Sequence, residues 1–325
     1  MLGATAPTAL MPAFDTDKET TMNAILKFPQ GSNDNFEQIR TRFDEEYGIV
    51  WLYMHPEPRP CFTRKLLDEG HYFTHHPYYG LQGKVIDAGM EKPVNYMVLA
   101  SDAPDVFNLG GDLAMFQNAI RTGNREELIK YARICVEIGW TFYSMQSPVT
   151  TISLVQGSAL GGGLESALST NVLIAEKSAK MGLPEVLFNL FPGMGAFSYL
   201  SRKIGMQTAE AMVRSGKIYT ATELHEMGVV DVLAEDGEGE NALYDWIREN
   251  HRSLNSFQAI QRAKQRVNPL SLEELYDITE IWVDAALRLS ERDLKVMERL
   301  VRAQNQRGNQ KQAASLQPVA EAAVA

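Results

Sequence analysis

Between Thr151 and Ala175 the chain reads as an apolar strand, a run of glycines, a short helix and a second apolar strand. No other segment narrows the possible folds as much. The stretch Gln156-Gly-Ser-Ala-Leu-Gly-Gly-Gly-Leu-Glu165 turns a buried strand straight into a helix. Glycines admit a close backbone approach, and the start of a helix presents N–H groups that have no intrahelical partner. Such a turn can hold phosphate or a developing oxyanion. Phosphate is the poorer reading, because no Lys-Ser/Thr follows the glycines. From the glycines alone, tight strand–helix packing is an equal alternative.

Glu165 shifts that balance. It lies between SALGGGL and SALSTNVLIA, both of which read as buried. A carboxylate there is unfavourable unless it is paired or used. Twenty residues on, Met181-Gly-Leu-Pro-Glu185 leads into another apolar run, and Pro184 puts Glu185 in a first helical turn, where acids are common. Two carboxylates near apolar walls and an N–H-lined turn can divide acid and base roles, because their surroundings push their pKa values apart. A third element, Val106-Phe-Asn-Leu-Gly-Gly-Asp-Leu113, again passes from a strand through glycines to a helix, with Asp112 suited to cap it. The histidines of HYFTHH (His71, His75, His76) read as loop-like and lack partners at ligand spacing, so no metal site is expected. Ser158 sits in G-S-A, outside any nucleophile elbow.

Around these motifs the chain alternates strand and helix signals: strands at Tyr47–Met54, Tyr96–Ala100, Thr151–Val155 and Asn171–Ala175, and a helix over 124–145. Capping boxes are expected at Thr220/Glu223 and Ser271/Glu274. Residues 1–22 read as a mobile leader, 35–235 as an α/β core, 236–307 as a helical region and 308–325 as a disordered tail. The stripe Leu275, Ile278, Ile281, Trp282, Ala285, Ala286, Leu289 is wide for one surface helix, which suggests burial on two sides, partly against another subunit. Lys and Arg number 31 against 41 Asp and Glu, a net charge of −10. That balance argues against a protein that grips nucleic acid. Two cysteines, Cys61 and Cys135, cannot frame a disulfide scaffold and fit a cytoplasmic protein. No stretch reads as a signal peptide or a membrane span.

Taken in order, FNLGGDL (107–113), VQGSALGGGLE (155–165), MGLPEV (181–186) and ATELHEMGVVD (221–231) resemble the crotonase, or enoyl-CoA hydratase/isomerase, superfamily. The stretches FNLGGDLAMF, MGLPEVLFNLFPGMGAFSYL, ITEIWVDAALRL and RLVRAQ look more narrowly like the diffusible-signal-factor synthases of bacterial quorum sensing. That similarity runs from about Tyr47 to Arg307. Leu-Gly-Gly-Asp in place of Ala-Gly-x-Asp, and the extended connection 69–95, depart from ordinary catabolic hydratases.

The resemblance implies an α/β fold, a β/β/α spiral core with a C-terminal helical layer, assembled as a homo-trimer or hexamer. It implies Glu165 and Glu185 as the catalytic acids, with backbone N–H groups of Gly111 and Gly162 as the oxyanion hole. Candidates for the acyl pocket are Leu160, Met181, Leu187, Met194 and Trp282, each weighed against plain core packing. The implied activity is dehydration of a 3-hydroxyacyl thioester to the cis-2-enoyl thioester, then hydrolysis that releases a free fatty acid. No cofactor is expected beyond the substrate's own carrier, acyl carrier protein or CoA. Arg59, Arg64, Lys65 and Lys84 are candidate contacts for an acidic carrier, or simply solvated charge. The receiver domain of a sensor kinase is a further partner that the resemblance implies. The competing readings are a catabolic enoyl-CoA hydratase or isomerase that leaves the thioester intact, and a non-catalytic binding protein on the same fold.

Overall fold

A computed structural model of the chain describes residues 36–75, 83–87, 90–145 and 148–315. The expected leader, His76 and the last part of the expected tail lie outside them.

A six-stranded sheet forms the centre. Its neighbours run Ile39–Asp44, Ile49–Met54, Tyr96–Ser101, Thr150–Val155, Val172–Glu176 and Val232–Ala234. Only the first pair is antiparallel. Leu52, Leu99, Ser153 and Leu173 stand in register across the middle. Every residue of Ile49–Met54, Thr150–Val155 and Val172–Glu176 is buried. Parallel strands covered on both faces read as continuous apolar runs, which is why the sequence reveals them.

Three of these strands are each followed by a short strand of a second sheet and then a helical turn. Val106–Asn108, Ser158–Leu160 and Lys180–Gly182 are those short strands, joined at one edge by Ile218–Thr220. After them come the helices Leu113–Arg121 and Gly162–Leu168 and the 3₁₀ turn Pro184–Phe188. The repeat of strand, strand and helix is the expected spiral. It brings three glycine- or proline-marked turns to one end of the molecule.

Helices close both faces. Gly239–Asn250 lays Leu243 and Ile247 behind the large sheet, against Trp51, Val98 and Ile152. Arg125–Ser144 and Leu272–Ala286 pack together on the other side, with Glu291–Ser315 lying on Leu113–Arg121 and on the 3₁₀ turn. This last helix runs to Ser315, past the expected boundary at 307. The helical region shares a core with helices of the α/β part, since Trp282, Val283 and Met297 pack with Phe116 on Leu113–Arg121 and Tyr131 on Arg125–Ser144.

Several local readings are corrected. His71 and His75 lie in the helix Arg64–His75, not in a loop, and His71 Nε2 meets Glu137 Oε2 at 2.9 Å. Thr220 and Glu223 form a full capping box. At Ser271 only half of one forms: its side chain accepts from Glu274 N, while the Glu274 carboxylate turns to Arg202, at 2.7 Å, and Ser198. Of the expected stripe, Leu275, Trp282 and Ala286 are buried within the protomer, Ile278, Ala285 and Leu289 are half-buried, and Ile281 is left 58% exposed. Among the described residues, no helix is long and apolar enough to cross a membrane.

Candidate active site

A cavity of about 220 Å³ opens where the three turns meet the C-terminal helices. Its walls are almost wholly apolar, and Glu165 and Glu185 both face it.

Glu165 stands on the first turn of Gly162–Leu168 and is 2% exposed. Its Oε1 accepts from Met194 N at 2.8 Å and Ala196 N at 3.0 Å. The segment Gly193-Met194-Gly195-Ala196, a turn running into the helix Ala196–Ile204, presents both amides. Gly193 is required there, because any β-carbon would strike the Trp282 ring. Burial pushes the Glu165 carboxyl above its ordinary range, while the two amides pull it back. Glu185 is half-buried, with Oε2 covered and without a hydrogen-bond partner among the described residues. Burial raises its pKa, and the neighbouring Glu165 charge raises it further. Two acids so close cannot both ionise readily, so they titrate as a pair.

Gly161 leaves the space that the Glu185 carboxylate occupies. It has φ +54° and ψ −125°, and a β-carbon on it would collide with Glu185 Oε1. That backbone conformation belongs almost solely to glycine. Immediately after it, the N–H of Gly162 has no intrahelical acceptor. The Gly110–Gly111 turn faces it: a β-carbon on Gly162 would stand 3.6 Å from Gly111 N. Among the described residues neither amide donates to a protein acceptor. Two free donors thus converge at the end of the cavity that holds the carboxylates, the arrangement that stabilises an oxyanion.

Around this head group, Leu160, Met194 and Trp282 line the cavity. Met181 and Leu187 do not. Met181 pairs with Ala159 across the small sheet and is fully buried in the core behind it. Leu187 turns outward from the 3₁₀ turn toward Gly216 and is 58% exposed. The four cations considered for an acidic carrier all pair within the chain: Arg59 with Asp112 and Arg64 with Asp68, each at 2.8 Å, Lys65 with Glu37 at 2.9 Å, and Lys84 with Glu91 at 2.6 Å. Asp112 also caps its helix by accepting from Met115 N at 3.2 Å.

Sequence reasoning missed several residues that hold the site. Tyr131 donates to Phe62 O at 2.6 Å and accepts from Asp112 N at 3.1 Å, tying the Gly111 loop to its neighbour strand. Its place on a buried helix face was the available signal, since a buried tyrosine hydroxyl needs partners. Phe116 stands edge-on to both Tyr131 and Trp282, at 5.0 and 5.1 Å. Cys135 and Ile138, on the apolar face of Arg125–Ser144, are only partly covered because they border the cavity.

The spiral of paired strands and turns, with two acids and two free amides at one end, defines a class, and the comparisons name it. The chain belongs to the enoyl-CoA hydratase/isomerase family, whose model matches residues 86–279. It is similar to the mitochondrial methylglutaconyl-CoA hydratase of Homo sapiens, 32% identical over 161 residues, which is 49% of this chain and 46% of that protein. It is 31% identical over 159 residues to the peroxisomal fatty acid beta-oxidation multifunctional protein AIM1 of Arabidopsis thaliana, covering 49% of this chain and 21% of that one. The chain thus spans less than half the length of these curated relatives. Among solved structures, an enoyl-CoA hydratase/isomerase from Xanthobacter autotrophicus Py2 superposes with a TM-score of 0.66 at 19% identity, over 87% of this chain and all of that one. Pseudomonas aeruginosa DspI does so with a TM-score of 0.61 at 22% identity, over 79% and 98%. These two likenesses show the fold.

Proposed function

We propose that the chain dehydrates 3-hydroxyacyl thioesters, carried by acyl carrier protein or CoA, to cis-2-enoyl thioesters and then hydrolyses them to free cis-2-unsaturated fatty acids of the diffusible-signal kind. The observation that carries this reading is the buried Glu165 and half-buried Glu185 facing two unpartnered amides at one end of an apolar cavity. The thioester oxygen sits between Gly111 N and Gly162 N, which stabilise the enolate. Glu165, whose carboxylate two amides support, takes the proton from C2. Glu185, with an uncompensated buried oxygen, starts protonated and gives its proton to the 3-hydroxyl as the C3–O bond breaks. Water leaves, and the two acids have exchanged protonation states. In the second step one carboxylate activates water, whose oxygen attacks the thioester carbon. The same amides hold the tetrahedral oxyanion, the C–S bond breaks and the thiol leaves with a proton.

Donors of the oxyanion-hole type each contribute on the order of 10²–10³ in rate. The chemistry as proposed draws on side chains and amides alone, with no cofactor beyond the carrier. The resemblance to signal-factor synthases supports the hydrolytic step and a receiver-domain partner. Exposed Leu187 and Ile281 support a trimeric or hexameric assembly, which light scattering would read as a mass of three or six chains.

A second reading, a hydratase that leaves the thioester intact, is favoured by the likeness to methylglutaconyl-CoA hydratase. Incubation with 3-hydroxydodecanoyl-carrier protein, followed by mass spectrometry, separates the two. Free dodecenoic acid supports the first reading. An intact enoyl thioester with no released acid supports the second, and unchanged substrate refutes both.

A further inference from the structure

The last helix sends one polar side chain into the cavity. Gln304, which ends the RLVRAQ stretch, is 5% exposed and lines the cavity alongside Gly111. Its Nε2 donates to Leu109 O at 3.2 Å and to Gly111 O at 3.3 Å. Two carbonyls facing one nitrogen fix the orientation of the amide, because the flipped form would set its oxygen against both of theirs. The Oε1 atom is then left over. It is buried and has no hydrogen-bond partner among the described residues.

This is not a loose side chain at a frayed end. The helix is pinned one to three turns earlier, where Gln117 Nε2 donates to Leu294 O at 2.7 Å and Arg121 meets Glu298 at 2.7 Å. Leu294 and Met297 are buried in the core beside Trp282. A buried acceptor without a donor is rare in a folded protein unless something else binds it.

We infer that Gln304 contacts substrate: Oε1 accepts a hydrogen bond from a neutral donor of the bound thioester close to its carbonyl, while Nε2 fixes the loop that presents the Gly111 N–H. The inference rests on the thioester reading above. Such a substrate offers two donors of this chemistry, the 3-hydroxyl of the acyl part and the amide N–H groups of the pantetheine arm.

The test uses three ligands: 3-hydroxydodecanoyl-pantetheine, dodecanoyl-pantetheine without the hydroxyl, and the 3-hydroxydodecanoyl thioester of a plain alkyl thiol without the amides. Kd is read before turnover by stopped-flow tryptophan fluorescence, for wild type, Gln304→Met and Gln304→Lys. The wild type should prefer the first ligand over one of its truncated analogues, and Gln304→Met should erase that preference, a loss of about three- to tenfold. Preference lost against the dodecanoyl compound assigns the hydroxyl as donor, and preference lost against the alkyl thioester assigns the arm. Gln304→Lys keeps a donor toward Leu109 O and Gly111 O and removes only the acceptor, so it too should erase the preference, which serves if the methionine variant fails to fold. Equal weakening of all three ligands, or no weakening, overturns the assignment and leaves the catalytic reading standing. Tight, discriminating binding by a wild type that turns nothing over does the reverse. A wild type that binds none of the three removes both.

Discussion

Gly161→Ala puts the candidate site under the most direct strain. Alanine must adopt φ +54° and ψ −125°, a conformation that costs about 1–3 kcal/mol for a residue with a side chain. In a domain of this size each kcal/mol lowers Tm by about 2–4 °C. The second effect is local. The new methyl group collides with Glu185 Oε1, and that carboxylate has its other oxygen already covered by protein. To relieve the overlap the acid must shift by on the order of 1 Å, and a displacement of that size in a catalytic group costs about 10²-fold in rate. Gly205→Ala supplies the control. Gly205 also has positive φ, +82°, but a β-carbon there meets nothing within 4 Å. Both variants should lose a similar amount of Tm, read by thermal denaturation. Only Gly161→Ala should lose kcat on a 3-hydroxyacyl thioester, with KM much less affected. If both fall equally in Tm and both keep wild-type kcat, Glu185 does not act from the position Gly161 leaves open for it.

Two further outcomes are expected. Both buried acids have folded-state pKa values raised above 4.5, so the fold binds more protons than the unfolded chain over the interval between; stability is full below the ordinary glutamate range and falls as pH rises through the folded values. Glu185→Gln removes one such group, so its Tm advantage over wild type should widen from acid to mildly alkaline buffer, and a constant difference across that range would contradict the burial argument. Trp282→Phe should weaken twelve-carbon substrates more than four-carbon ones, by about 1–3 kcal/mol in kcat/KM, because the indole lines the apolar part of the cavity; equal losses at both lengths would make it a packing residue alone.

The parts of the fold that the sequence made legible are those whose burial is nearly complete. Strands at Ile49–Met54, Tyr96–Ser101, Thr150–Val155 and Val172–Glu176 fall within two residues of their expected limits, because apolar runs between parallel neighbours leave no face for polar side chains. The edge strand Ile39–Asp44 was not legible: IRTRFD alternates weakly, and Arg40 and Arg42 stack on Tyr53 and Trp51 instead of burying apolar groups. Three-residue strands such as Ser158–Leu160 are too short for a period and exist only through their pairing. At the site, Glu165 and Glu185 stood out as acids in apolar surroundings. Met181 and Leu187 misled because adjacency to a motif says nothing about the face on which a side chain emerges. Met181 alternates to the core side of its strand, and Leu187 leaves the 3₁₀ turn outward.

The resemblance implied that a C-terminal helix bearing Trp282 covers the candidate site; what the motifs could not convey is which close approaches join that end of the chain to it. Glu165 and the Gly111 loop are within about sixty residues of each other in sequence, but two of the groups that close the site around them, Trp282 and Gln304, come from much further away. Trp282 fills the space that Gly193 vacates, and Gly193 opens the turn whose amides hold the Glu165 carboxylate. Gln304 reaches back 193 residues to Gly111 O. Each link is a close approach that depends on a residue lacking a side chain or on a buried polar group with one partner too few. Such contacts have no periodicity, so no pattern in the sequence marks them. They tie both ends of the candidate site to the C-terminal helices: Gln304 contacts the Gly111 loop, and Trp282 packs against the turn that holds Glu165. The apolar walls exclude water, which strengthens the amides' hold on developing charge. The helices that supply those walls are therefore part of the same device as the two acids.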